Sequence, residues 1–165
     1  MAISFRGAMI AVALGLAANF SLGADVHAAV KDGQKFGDWT VSCAKERPTA
    51  CSLVQRQAVQ GGARLFQLTI GKVGSKGEMG ASAVVPLGLH IPAGVVLVLD
   101  GAQTPMTLMR CVEAGCLAVL QFDAKIQAAI GKANDIQLAM IDDFSRQTVL
   151  MKVGVAGLAD GLKAL

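Results

Sequence analysis

Apolar and polar residues alternate along much of the chain, which is the pattern of β-strands that bury one face. In one such segment Phe66, Leu68 and Ile70 are separated by glutamine and threonine. Glycine, proline, asparagine and aspartate interrupt these segments at short intervals, as turns do. Short strands at that spacing predict an all-β sandwich or barrel. The predicted strands are 39–43, 52–59, 66–70, 81–85, 95–100, 106–111, 116–122, 136–141 and 148–153.

Two of the segments between residues 71 and 101 carry more specific expectations. Residues 95–99 are apolar without interruption, which predicts a strand buried on both faces, and Asp100-Gly101 after it fits a tight turn. The glycine-rich stretch Gly71–Gly80, which carries Lys72, Lys76 and Glu78, predicts a mobile hairpin loop. No strand-to-helix context around it supports phosphate binding.

Two short segments follow a helical period instead. Phe122, Ile126 and Ile130 recur every four residues and end at Gly131, which predicts a short connecting helix with a glycine C-cap. At the C-terminus a second short helix is expected to cover a sheet edge or barrel end. Its predicted inner face consists of Val155, Leu158, Leu162 and Leu165, with Asp160 and Lys163 pointing away.

The N-terminus has the form of a secretory signal peptide. Arg6 supplies a positive charge, the apolar stretch that follows has about 11 residues, and Val26-His27-Ala28 fits a cleavage site after Ala28, with a cut after Ala24 as the alternative. A membrane-spanning helix needs about 20 apolar residues, so no transmembrane segment is expected after cleavage. The predicted organisation is a leader at 1–28 and a single domain at 29–165, exported to the periplasm, the outer surface or the medium.

Composition removes two other classes of protein. A formal net charge of +3 without clustered basic residues excludes a typical nucleic-acid-binding protein. Most predicted strands span five to eight residues, where an outer-membrane barrel needs about 9–11. The aromatic girdles of such a barrel are also missing from the sequence, which is 4% aromatic.

Four cysteines lie in the predicted mature chain, and an oxidising compartment makes disulfides the default state. Their spacing favours two local pairs that each close a turn, Cys43–Cys51 and Cys111–Cys116. A zinc site of four thiolates is the rival interpretation, but the gaps between the paired cysteines are seven and four residues, and only the second fits a zinc knuckle. The sequence contains no C-x-x-C motif, which is the motif that would indicate redox catalysis.

A search for catalytic, cofactor-binding or metal-binding residues selects none. His90 is predicted to be a loop or surface residue, and no serine lies in a G-x-S-x-G motif. Asp142 and Asp143 are adjacent, so they would face opposite ways on a strand or be solvated in a turn before a phenylalanine. The chain is therefore predicted not to be an enzyme and to need no cofactor. Arg56, Arg64 and Arg110 could form a modest basic patch, although dispersed surface charges are favoured, and the methionines Met79, Met106, Met109, Met140 and Met151 are expected to fill core gaps.

Several motifs occur in a fixed order: Phe36–Cys43, Cys51 followed by a strand with Gln55 and Gln57, Val85–Val95 leading into Leu99-Asp100-Gly101, Arg110–Ala118 and Val153–Leu165. Together they resemble the invasion-associated locus B family of exported bacterial proteins, over roughly residues 36–165. The resemblance implies an immunoglobulin-like β-sandwich with two short-range disulfides, a link to host-cell invasion in some pathogens, and no catalytic residues. One departure is Gly154-Val155, where the family tends to have Ser-Leu, and this is expected to alter the N-cap of the last helix.

The sequence thus predicts an all-β, immunoglobulin-like β-sandwich with a short connecting helix and a short C-terminal helix. Its predicted function is that of an exported, non-catalytic binding protein with a protein or cell-envelope partner and a link to host-cell invasion. The alternatives are a carrier of a small apolar ligand and, with less support, an envelope hydrolase. A deep apolar cavity larger than about 300 Å³ would favour the carrier, and an exposed apolar patch would favour the interaction protein.

Overall fold

The computed structural model of the chain describes residues 30–58, 64–73 and 77–165, without the side chains of residues 48, 49 and 64. The predicted leader, both cleavage sites and Lys76 lie outside the described residues. No helix in the described ranges is both long and apolar enough to cross a membrane.

Ten strands and two α-helices make up the described part of the chain. A single turn of 3₁₀ helix, Ile91–Ala93, precedes the sixth strand. The strands are β1 (Lys35–Phe36), β2 (Trp39–Ala44), β3 (Arg47–Ala58), β4 (Arg64–Val73), β5 (Glu78–Val85), β6 (Val95–Leu99), β7 (Ala102–Val112), β8 (Gly115–Gln121), β9 (Ile136–Ile141) and β10 (Thr148–Val153), and the helices are α1 (Ala124–Ile130) and α2 (Leu158–Ala164).

All paired strands are antiparallel, in the order β1-β2-β3-β4-β5-β8-β7-β6-β9-β10. Strand β7 links two parts of this order, which we call the halves: β1 to β5 with β8, and β6 with β9 and β10. Its first residues pair with β6, and its last residues pair with β8. A register shift between Leu108 and Arg110 separates the two pairings, and such bulges bend a strand. The predicted all-β fold with two short helices is confirmed. The immunoglobulin-like sandwich arrangement stays a prediction, since the strands form one continuous order.

The expectation for Gly71–Gly80 is wrong for most of its length. Residues 71–73 and 78–80 are paired parts of β4 and β5, with Lys72 opposite Met79, and residues 74–76 are outside the described ranges. Gly71 and Gly80 serve close approach between strands instead of loop motion. A Cβ atom at Gly71 would collide with the side chain of Ser52, and one at Gly80 would collide with the backbone of Leu120.

Buried residues from both halves form one hydrophobic core, and they alternate with more exposed residues along the strands as predicted. The expectation that β6 is buried on both faces is wrong, because Val96 and Val98 are only half-buried while Val95, Leu97 and Leu99 are in the core. The predicted tight turn after β6 is present, with Asp100 and Gly101 both at positive φ. Met109 is 58% exposed, so it does not fill the core as expected.

Both helices cover the core, and both largely match their predicted inner faces. The Asp123 carboxylate caps α1 by accepting a hydrogen bond from Ile126 N at 2.7 Å, and Phe122, Ile126 and Ile130 are buried. Helix α2 buries Leu158 and packs Gly161 against Leu53. Leu165 was expected on this inner face, but it follows the last helical turn and is 41% exposed.

Two disulfides each join residues directly opposite on neighbouring strands. Cys43–Cys51 links β2 to β3, and Cys111–Cys116 links β7 to β8, with sequence separations of 8 and 5. Such short loops remove little entropy from the unfolded chain, roughly 2–2.5 kcal/mol each in the loop-closure model. These bonds therefore fix hairpin ends, while the core and the contact described next hold the halves together.

The segment after β10 packs against the β1–β2 hairpin and is hydrogen-bonded to it. Asp38 N donates to Ala156 O at 3.0 Å, and Trp39 Nε1 donates to Gly154 O at 2.9 Å. The buried Gln55 amide bonds to both backbone groups of Gly154, donating at 3.1 Å and accepting at 2.8 Å. We call this set the closure contact. The departure at Gly154-Val155 therefore affects this contact and not the N-cap of α2, which is Gly157.

Candidate interaction surface

Two chain segments lie side by side at one end of the β6-β9-β10 half. The first, residues 86–94, leads into β6, and the second, residues 142–147, connects β9 to β10. His90 N donates to Ile141 O at 2.7 Å, and Asp143 N donates to Gly88 O at 2.7 Å. These backbone bonds fix the two segments to each other although they are about 50 residues apart in sequence.

The second segment is a tight turn organised by one carboxylate. Asp142 Oδ1 accepts hydrogen bonds from both the N–H and the hydroxyl of Ser145, each at 2.7 Å. Arg146 N donates to Asp142 O at 2.9 Å, and Arg146 adopts a positive φ of 59°. The hydrogen bonds from the backbone N–H and the hydroxyl of Ser145 lower the pKa of Asp142, because they stabilise the ionised carboxylate. Asp142 is therefore a capping residue and not simply a solvated one.

Large apolar side chains are exposed on both segments, close in sequence to the backbone bonds that join them. Phe144, at the tip of the turn, is 98% exposed, and Leu87 and Ile91 on the neighbouring segment are 54% and 56% exposed. We call these three residues the apolar end. Exposed apolar groups gathered in this way are typical of surfaces that bind another molecule.

Polar and charged side chains border the apolar end. His90 Nδ1 lies 2.8 Å from Asp143 Oδ1, and the Arg146 guanidinium contacts the imidazole and lies 3.6 Å from the same carboxylate oxygen. The His90 side chain is 28% exposed, in agreement with the predicted loop or surface position. The Ser145 hydroxyl bonds to Asp142 and not to His90, so these residues do not form a serine–histidine–aspartate relay.

A shallow groove of about 440 Å³ extends from this end across the outer face of β6, β9 and β10. Its apolar lining includes Val96, Val98 and Ile141, and the edge strand adds Leu150, which is 60% exposed. Gln103, Gln137 and Thr148 add polar groups to the lining. The groove lies over the outer face of β6, the face that the sequence predicted to be buried as well.

The lowered pKa of Asp142 makes the order of the turn dependent on pH. The folded pKa lies below the unfolded value of about 3.9, so the stabilisation is complete above the unfolded value and is lost as pH falls through the folded one. We expect the amide resonance of Ser145 to titrate with a midpoint below that of an unfolded aspartate. Measurement of this resonance by NMR between pH 2 and 6 checks the prediction. The titration should vanish in Asp142→Asn and persist in Asp143→Asn, and a midpoint above 4 would contradict it.

The structure places two arginines of the predicted patch on one face of the sheet, but on strands that are four positions apart. Arg56 on β3 and Arg110 on β7 lie on one face of the sheet, at the two ends of a row of opposed residues that crosses β4, β5 and β8. The side chain of Arg64 is outside the described atoms. Among the described residues, no group of three histidine, cysteine, aspartate or glutamate side chains is arranged to hold a metal ion.

Comparison with known proteins identifies the family. The family model described as invasion associated locus B (IalB) protein matches residues 39–165, from β2 to the C-terminus. The chain belongs to the IalB family. The resemblance deduced from the sequence motifs is thereby confirmed, and the matched range contains the apolar end, the groove and both disulfides.

Curated and solved IalB relatives agree with this assignment. Invasion protein B homologues of Brucella abortus, strain 2308 and biovar 1 strain 9-941, are each 31% identical over 132 residues, covering 78% of this chain and 76% of the relative. The crystal structure of invasion associated protein B from Bartonella henselae matches with a TM-score of 0.68 and 20% identity, covering 79% of this chain and 92% of that one. At that identity the likeness shows a shared fold.

Proposed function

We propose that this IalB-family chain is an exported, non-catalytic binding protein that recognises a protein partner, in the cell envelope or on a host cell, through the apolar end. The 98% exposure of Phe144 carries the proposal. Burial of a phenylalanine side chain contributes about 1.5–3 kcal/mol, so this residue is a ready anchor for a partner. Export is supported by the two disulfides and the N-terminal signal pattern.

The surroundings of Phe144 match the anatomy of protein interfaces. Such interfaces have an apolar centre and a polar rim, and here His90, Asp143 and Arg146 border the apolar end. The turn that carries Phe144 is held by Asp142 and Ser145, so little ordering is required when a partner binds. The groove beside it is open and partly polar, which favours contact with a protein over enclosure of a small apolar ligand.

Site-specific cross-linking in the intact envelope tests the proposal. A photoreactive amino acid at Ile91 should give a discrete protein adduct, which Phe144→Ser reduces at least tenfold, since the anchor is lost. Met109→Ser is the matched control, because Met109 is also more than half exposed but lies on β7. Its adduct yield should change less than twofold. Equal effects of both substitutions, or an adduct that is insensitive to Phe144, would contradict the proposal.

A further inference from the structure

A second surface lies on the other half of the sheet and is polar and cationic. A groove of about 350 Å³ runs over the outer face of β2, β3 and β4. Three positively charged side chains line it, Arg47, Arg56 and Lys72, and we call them the groove cations. Ser42, Ser52, Gln67 and Thr69 supply hydroxyl and amide groups, and the side chains that the structure describes in the lining include neither an aromatic ring nor a carboxylate.

The groove cations have no carboxylate partners within the described ranges. The ion pairs there involve Asp143 and Asp160, which belong to other surfaces. Two carboxylates near it, Asp32 and Glu46, lie outside the lining, and Asp32 accepts a hydrogen bond from Cys43 N at 2.8 Å. No ion pair neutralises the groove cations within the described ranges, so their charge is available to an anionic ligand.

Arg56 is oriented for such a ligand. Its Nε donates to Gln67 Oε1 at 2.8 Å, and the amide of Gln67 in turn donates to Thr69 Oγ1 at 3.4 Å. Nε is thereby occupied, and no described residue accepts from the two terminal nitrogens. These nitrogens form the planar fork that binds an acidic group with two parallel hydrogen bonds.

The positive face is wider than the groove. Arg56 lies opposite Gln67, and the row of opposed residues continues through Val84 and Leu117 to Arg110. Four strand spacings of about 4.8 Å place Arg110 roughly 19 Å from Arg56 along the sheet. Cations spread over that distance fit an extended chain of anionic groups better than a single small anion.

We propose that this face binds an acidic polysaccharide, independently of the apolar end. Its sulfate or carboxylate groups pair with the groove cations and Arg110, and its hydroxyls bond to the serine, threonine and glutamine side chains. The absence of aromatic residues in the lining removes the stacking platform that single-stranded nucleic acid requires. The lining also lacks the large apolar side chains that insert into a lipid surface.

Calorimetric titration of the mature, disulfide-bonded protein tests this inference. A heparin-derived hexasaccharide should bind at low salt, and neutral maltohexaose should not. Arg56→Gln and Arg47→Gln should each weaken binding about five- to tenfold, because a charge-assisted hydrogen bond is lost. Lys125→Gln on α1 removes the same charge from another surface and should weaken binding less than twofold. Unfolding temperatures of the three variants verify that each is folded.

Four results would overturn the inference. Equal losses in Arg56→Gln and Lys125→Gln would mean general attraction to a cationic protein. If inorganic sulfate bound as tightly as the hexasaccharide, the polysaccharide chain would play no part in recognition. If maltohexaose bound equally well, the negative charge would play no part. Tighter binding of vesicles containing phosphatidylglycerol, lost in Arg56→Gln, would identify a lipid surface instead. None of these results bears on Phe144, so this inference and the proposed function fail separately.

Discussion

Replacement of Gly157 by alanine is expected to lower the free energy of unfolding by about 3–5 kcal/mol. Gly157 has a φ of 78°, a conformation that costs an alanine roughly 1 kcal/mol. A Cβ atom there would also collide with the carbonyl group of Phe36 on the β1–β2 hairpin. Backbone atoms cannot move aside as a flexible side chain can, so the hairpin must separate from the segment before α2 and the closure contact is lost.

Gly33 provides the matched control for this substitution. It has the same φ of 78°, but a Cβ atom there would meet no atom within 4 Å. Gly33→Ala should therefore cost only the conformational term, about 1 kcal/mol. Urea unfolding followed by Trp39 fluorescence, with the disulfides intact, measures both variants. Equal losses would show that the collision with Phe36 contributes nothing.

The Gln55→Met variant should lose about 2–4 kcal/mol of stability. Methionine keeps the length of the side chain but cannot bond to Gly154, whose half-buried N–H would lose its protein partner. The two bonds from the Gln55 amide to Gly154 and its weaker one to Asp38 O at 3.4 Å are removed together. Thermal unfolding should shift by roughly 10 °C for a domain of this size.

Gln57→Met is the comparison, because Gln57 also bridges β3 to the end of β10. Its amide makes one bond, to Lys152 O at 3.0 Å, at a solvent-accessible position. Water replaces that partner, so the expected loss is below 1 kcal/mol. If Gln55→Met were as stable as Gln57→Met, the buried amide would not be a main element of the closure contact.

Most strands were predictable because their alternation has a direct physical cause, the burial of one face. The segments 136–141 and 148–153 coincide with β9 and β10. Strand β1 has two residues, too few to show a period. The prediction for Gly71–Gly80 was wrong because glycine composition alone does not distinguish a loop from strands that need space for a neighbour.

The candidate surfaces were less predictable, since each depends on residues that are distant in sequence. His90 and Asp143 meet only because residues 86–94 lie beside the β9–β10 turn, a pairing that local patterns do not encode. The apolar run 95–99 suggested complete burial, and nothing in it indicates that Val96 and Val98 face a groove. The sequence shows the arginines of the basic face one by one. Their alignment in one row across the sheet follows only from the register of five strands.

The closure contact joins residues separated by 115 positions, Trp39 near the start of the domain and Gly154 near its end. Closing so long a loop has an entropic cost that local hairpins avoid, so contacts of this kind form late in folding. A chain still emerging from the ribosome has its hairpins within reach but lacks the acceptor for Trp39 and Gln55. The β1–β2 hairpin therefore completes its contacts only after residue 156 has been synthesised, so most of the strand pairing can precede the closure contact.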